Sequence, residues 1–147
     1  MARFATTCDT ERAPEAAFSF LADMRNASRW DPGVAEAELS GGSLRGEVGP
    51  GTTFDVTLLI GGRRKHVTYE LSRYERPARL VLHAEDPAFS STDTIEITAL
   101  ASGGSQVTYS ATLKPKGLWR AATPLLALSF RRIAERAARG LAEELSR

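Results

Sequence analysis

Residues 54–71 read Phe54-Asp55-Val56-Thr57-Leu58-Leu59-Ile60-Gly61-Gly62-Arg63-Arg64-Lys65-His66-Val67-Thr68-Tyr69-Glu70-Leu71. Phe54, Val56, Leu58 and Ile60 share one parity, the period of a strand with one buried face. Gly61-Gly62 supplies two residues that tolerate positive φ, as a two-residue hairpin connection requires. Val67, Tyr69 and Leu71 then resume the inward parity. The basic run from Arg63 to His66 falls at the hairpin tip and reads as a solvated face. Strands joined this tightly pair antiparallel, so the scaffold is an antiparallel sheet.

Working outward, residues 3–10 read as a first strand. Pro14 suits the first turn of a helix over about 14–24, with Glu15 favourable at its start and Phe18, Leu21 and Ala22 on one face. A second short turn fits residues 26–30 and ends at Asp31-Pro32-Gly33. Strands are expected from Val34, over 79–85, 89–99 and 106–114, the last two joined across Ser102-Gly103-Gly104. Thr123-Pro124 fits an N-cap and first helical position, opening a helix over about 124–145. Its apolar stripe includes Leu125, Leu128, Ile133 and Leu141. Leu125, Leu128 and Ile133 are expected to contact sheet residues such as Val67, Leu80, Ile97 and Val107. The fold class is α+β: a curved antiparallel sheet of six or seven strands wrapped on a long C-terminal helix, with two short helices after the first strand. Residues 1–147 form one domain, without repeats or a separating linker.

Composition narrows the function classes. Nineteen basic and 18 acidic side chains give a formal net charge of +1 in 147 residues, without the basic surplus that nucleic-acid binding uses. Cys8 is the sole cysteine and there are two histidines, so neither a disulfide framework nor a structural zinc site is expected. No metal or other cofactor is expected. No run reaches the roughly 18 uninterrupted apolar residues of a membrane span, and the N-terminus lacks the apolar core of a signal peptide. A cytoplasmic location without integral membrane association is the default expectation. A homodimer is one possible assembly. No Gly-x-Ser-x-Gly elbow or P-loop is present.

Several segments together carry a resemblance. They are residues 13–18 opening the first helix, Trp30-Asp31-Pro32-Gly33-Val34 after the second, and Gly49-Pro50-Gly51-Thr52-Thr53-Phe54 before a strand. Pro77-Ala78-Arg79-Leu80-Val81, Gln106-Val107-Thr108-Tyr109 and Pro124-Leu125-Leu126 follow in order. In that order the chain resembles, over its whole length, the START-like superfamily, also called SRPBCC or helix-grip proteins, of the Bet v 1 type. It looks closest to the polyketide cyclase/dehydrase-like branch. The resemblance implies an interior cavity for lipids, polyketides or other apolar ligands. It does not imply one chemistry, because function resides in the cavity residues.

The strand at 89–99 alternates Phe89, Ser91, Asp93, Ile95 and Ile97 against Ser90, Thr92, Thr94, Glu96 and Thr98. The apolar members turn the first set inward, so Asp93 is directed toward the cavity. There it could hold a ligand polar group or act as a general base; the competing reading is a solvated or arginine-paired strand-end residue. Tyr69 and Tyr109 also fall on inward parities, either as core phenols or as donors to a ligand carbonyl. Trp30 either lines the cavity mouth or anchors the two short helices. Phe18, Leu21, Phe54, Leu82, Ser129 and Ile133 complete the expected ligand-binding set. His83 and His66 are expected outside it. The glycine-rich residues 46–51 are a candidate lid. Three functions remain open: binding of a hydrophobic small molecule, lipid- or polyketide-like; catalysis of the polyketide cyclase, aromatase or dehydratase kind; and a protein–protein role with a filled cavity.

Overall fold

The structure is a computed structural model. It describes residues 1–42 and 46–147, excluding the side chains of Trp119 and of residues 122–127. The expected N-cap at Thr123-Pro124 and the expected contacts of Leu125 therefore lie outside the described residues.

Seven strands form one antiparallel sheet: β1 (Ala2–Thr10), β2 (Val34–Gly41), β3 (Thr53–Ile60), β4 (Arg63–Glu75), β5 (Arg79–Glu85), β6 (Phe89–Ala99) and β7 (Ser105–Pro115). Their spatial order is β1-β7-β6-β5-β4-β3-β2. Helix α1 (Pro14–Ala22) and a 3₁₀ segment (Met24–Arg29) connect the two edge strands, and helix α2 (Thr123–Leu145) closes the fold. A second 3₁₀ segment, Gly117–Ala122, leads into α2.

The hairpin at Gly61-Gly62 forms as its residues require, with φ of 57° and 77°, the region where glycine carries no side-chain penalty. Two bulges correct the simple alternation. Between Val34 and Glu36 the β2 register shifts, so buried Val34 shares the inner face with Ala37 and Leu39 despite opposite parity. A shift between Leu71 and Arg73 likewise turns Tyr74 inward, where its ring meets Phe18 edge-on at 5.1 Å.

The inner face buries Phe18, Leu21, Phe54, Leu71, Leu80, Ile95 and Val107 in one cluster. Helix α2 adds Ala134, Ala137, Leu141 and Leu145, at the three- and four-residue spacing of one helical face. It packs mainly on β1. Leu128 does not join this contact: it is 52% exposed. It precedes Ala137 by nine residues, two and a half turns at about 3.6 residues each, and so points the opposite way.

The end of α2 is firmly anchored. Thr10 Oγ1 donates to the Leu145 carbonyl at 2.6 Å, and Arg12 Nη2 donates to the Glu144 carbonyl at 2.9 Å. The Glu144 side chain is 1% exposed and meets Arg29 at 2.8 Å and Arg147 at 3.2 Å. Arg29 meets Oε1 as an ion pair without an aligned hydrogen bond. The guanidinium groups of Arg12 and Arg29 also lie over the Phe20 ring, at 4.7 and 5.2 Å. Gly140 sits directly on the Trp30 carbonyl, leaving no room for a Cβ atom.

Candidate functional site

The gap between the sheet and the first half of α2 is a cavity of about 270 Å³. That lies just under the roughly 300–1,000 Å³ range of small-molecule pockets. The strands and helix diverge here because the helix side of the wall is thin: Ala134 and Ala137 face the sheet where larger residues would fill the space. Ala111 does the same from β7. Leu58, Leu113, Phe130 and Ile133 supply apolar walls. Leu59 and Ile60, 38% and 41% exposed, stand at the rim beside Phe89 and Lys65.

The inner end is polar. Asp93 comes from the middle of β6, where its neighbours across the ladder are Leu82 and Ala111. Both neighbours are buried, so the strand alternation does turn Asp93 inward. Beside it are Tyr69 from β4, Ser91 from β6, Tyr109 from β7 and Asp31 from the turn after the 3₁₀ segment. Tyr69 Oη donates to Ser91 Oγ at a long 3.5 Å. The Tyr109 phenol lies within reach of the Asp93 carboxylate and favours its ionised form. Asp31 Oδ1 accepts from the Gly33 amide at 2.8 Å.

Removal from water dominates the electrostatics. Burial pushes Asp93 from 3.8 up to about 7; the Asp31 charge adds to the rise and Tyr109 opposes it. Burial likewise pushes Asp31 up to about 6, against the stabilising Gly33 amide. Both phenols are raised, first by burial and then by the Asp93 charge. Among the described residues no cation stands against either carboxylate.

The ten residues expected from the sequence separate into three places. Tyr69, Asp93, Tyr109, Ser129 and Ile133 line the main cavity. Leu21, Trp30 and Leu82 line an adjoining void of about 40 Å³, which shares Asp31, Leu58, Tyr69, Asp93 and Tyr109 with it. The Trp30 ring meets Tyr109 edge-on at 5.8 Å, which keeps the phenol in position. Phe18 and Phe54 border neither space; both are fully buried in the core. Residues 46–51 do not line the cavity either. Gly51 N–H donates to the Leu71 carbonyl at 2.9 Å, holding this loop against the second half of β4 and away from the mouth. His83 lies outside: its ring bonds Thr92 at 2.8 Å and Glu85 at 2.7 Å.

Asp31 is the residue that strand periodicity misses. Its loop has no period to reveal a direction, and Asp-Pro-Gly reads first as a turn. Ser91 shared the inward parity of Asp93 without a feature to single it out. Among the described residues no three His, Cys, Asp or Glu side chains converge as metal ligands, and no helix is long and apolar enough to cross a membrane.

Comparison with known proteins gives the same architecture. The family model described as polyketide cyclase / dehydrase and lipid transport matches residues 1–146. No curated protein matches significantly. A START superfamily protein from Mycobacterium smegmatis superposes with a TM-score of 0.77 at 12% identity, covering 99% of this chain and 97% of that one. The Zhui aromatase/cyclase from Streptomyces sp. R1128 gives 0.77 at 11% identity, covering 97% and 92%. Major latex-like protein 151 from Panax ginseng gives 0.68 at 9%, covering 99% and 98%. At these identities the likeness is one of fold.

Proposed function

We propose that this chain, which belongs to the polyketide cyclase / dehydrase and lipid transport family, binds a hydrophobic small molecule, lipid- or polyketide-like, between the sheet and α2. The observation that carries this reading is the cavity of about 270 Å³, apolar along its length and polar at its inner end. Pockets of this composition bury an apolar body and orient it through a few polar groups. The open volume weighs against a protein–protein role built on a filled core.

Ala111 is 4% exposed and borders the cavity, so a phenyl ring in its place would occupy ligand volume. Ala111→Phe is expected to weaken binding of Nile red, a neutral apolar dye, by about tenfold or more. Fluorescence titration of both proteins checks this, and native mass spectrometry of the purified wild type looks for a co-purified ligand. Undiminished dye binding in a folded variant would mean that the cavity is not the binding site.

A second reading, a cyclase, has one specific observation in its favour. Asp93, raised to about 7, is poised near neutrality beside the Tyr109 phenol. A base of that strength suits removal of a proton α to a carbonyl, while a phenol donates to the oxygen of the forming enolate. Incubation with a poly-β-ketone substrate analogue tests it. A cyclised product with wild type that is lost with Asp93→Asn would establish catalysis; identical product profiles with and without protein would exclude it for that substrate.

A further inference from the structure

The polar end of the cavity holds an excess of hydrogen-bond acceptors. Asp31 and Asp93 contribute four carboxylate oxygens, of which Asp31 Oδ1 already receives the Gly33 amide. Against them stand three hydroxyl groups, those of Tyr69, Ser91 and Tyr109, and the Tyr69 proton is directed to Ser91. Among the described residues that line the cavity, only Lys65 is a cation. Its Nζ lies at the rim, 3.2 Å from Asp86 Oδ2 and 5.9 Å from the Phe89 ring centre.

A ligand must complement this end, because a buried polar group left unpaired loses its hydration without compensation. A carboxylate or sulfate head would bring further acceptors and a like charge toward Asp31 and Asp93, which rejects it. An alcohol supplies one donor. A protonated amine supplies up to three and the opposite charge, and its charge-assisted hydrogen bonds are the stronger kind.

We propose that the cavity selects amphipathic amines, seating the protonated nitrogen against Asp31 and Asp93 and the apolar body along Leu58, Leu113, Phe130 and Ile133. This rests on the binding function proposed above and narrows its ligand class. The groups beside Asp93 at this end of the cavity are Asp31, Tyr69, Tyr109 and Ser91; none is basic enough to take the proton of an alkylammonium, the phenols and hydroxyl being acids and Asp31 titrating at about 6. Burial holds both carboxyls partly protonated near neutrality. A bound cation draws them to the ionised form, so amine binding releases protons and tightens as pH rises through the range in which they titrate.

The test is displacement of Nile red by dodecylamine, dodecanol and dodecanoate, three chains that differ only in the head group. All are used below their aggregation concentrations and near neutral pH. Wild type is expected to bind dodecylamine at least about tenfold more tightly than dodecanol, the scale of one charge-assisted hydrogen bond, and dodecanoate weakest. In Asp31→Asn/Asp93→Asn the ratio of amine to alcohol affinity is expected to fall toward one. The two single variants, each expected to lower the ratio, serve where circular dichroism finds the double variant unfolded. Equal affinity for amine and alcohol, preference for dodecanoate, or an amine advantage that survives the substitutions would overturn the amine assignment while leaving the binding function intact. Failure of all three chains to displace bound dye would overturn the amine assignment alone, whereas wild type that binds no Nile red would remove the binding function and the amine assignment with it.

Discussion

Gly140→Ala is expected to destabilise the protein by about 3 kcal/mol, the upper range for overpacking a close contact. In an ordinary helix the same change is favourable by about 1 kcal/mol, because alanine loses less conformational entropy. Here the added Cβ would run into the Trp30 carbonyl oxygen and stand 2.9 Å from its carbon. Backbone atoms have no rotamer through which to move away. Relief requires α2 to lift from the turn that carries Asp31, which would also disturb the Glu144–Arg29 contact one helical turn further on. Urea denaturation of the two proteins reads the effect as a lower midpoint at unchanged slope. A variant more stable than wild type would mean that α2 does not seat on Trp30.

The second large effect is in the pH dependence of stability. Asp93 rises from 3.8 to about 7 and Asp31 to about 6 on folding. A carboxyl with a raised folded pKa holds its proton more tightly in the native state than in the unfolded one. Its stabilising contribution is complete below about pH 4 and is lost as pH rises through the folded value. Wild type should therefore lose stability from about pH 4 to about pH 8 relative to Asp31→Asn/Asp93→Asn, whose amides do not titrate. At 1.36 kcal/mol per pH unit, the two rises together make the loss on the order of 7 kcal/mol. Urea midpoints of both proteins across that range give the difference directly, free of carboxylates elsewhere that titrate in both. A constant difference would place both acids in water.

The sequence carried the scaffold because most of it is periodic. Residues 54–71 show their inner face by alternation and their connection by Gly61-Gly62, and the hairpin forms in that register. The same alternation directs Asp93, Tyr69 and Tyr109 inward. Periodicity fails where the chain breaks step: the bulges near Val34 and Arg73 reverse parity without a mark in composition. It also says nothing about depth. Phe18 and Phe54 lie on the correct face but under the core, away from the cavity. Leu128 belongs to an apolar stripe wider than the contact that α2 makes, so hydrophobicity alone did not identify its packing residues. At Gly140 a local irregularity of the sequence has a packing cause. A glycine within a helix sacrifices stability, and here the close approach of another backbone accounts for it.

The placement of β1 has a consequence for the protein's birth on the ribosome. Its register partner runs from Leu113 back to Ser105, opposite Ala2 to Thr10. The strand made first thus waits for the strand made last before it can pair. At about 5–20 residues per second, translation leaves that edge without its mate for roughly 5–20 s. The hairpins from β2 to β7 join sequential neighbours and can assemble as they emerge, whereas β1 and α2 dock only at the end. Nascent chains halted before residue 105 should therefore retain an unpaired N-terminal segment, open to chaperones and to proteolysis until synthesis resumes.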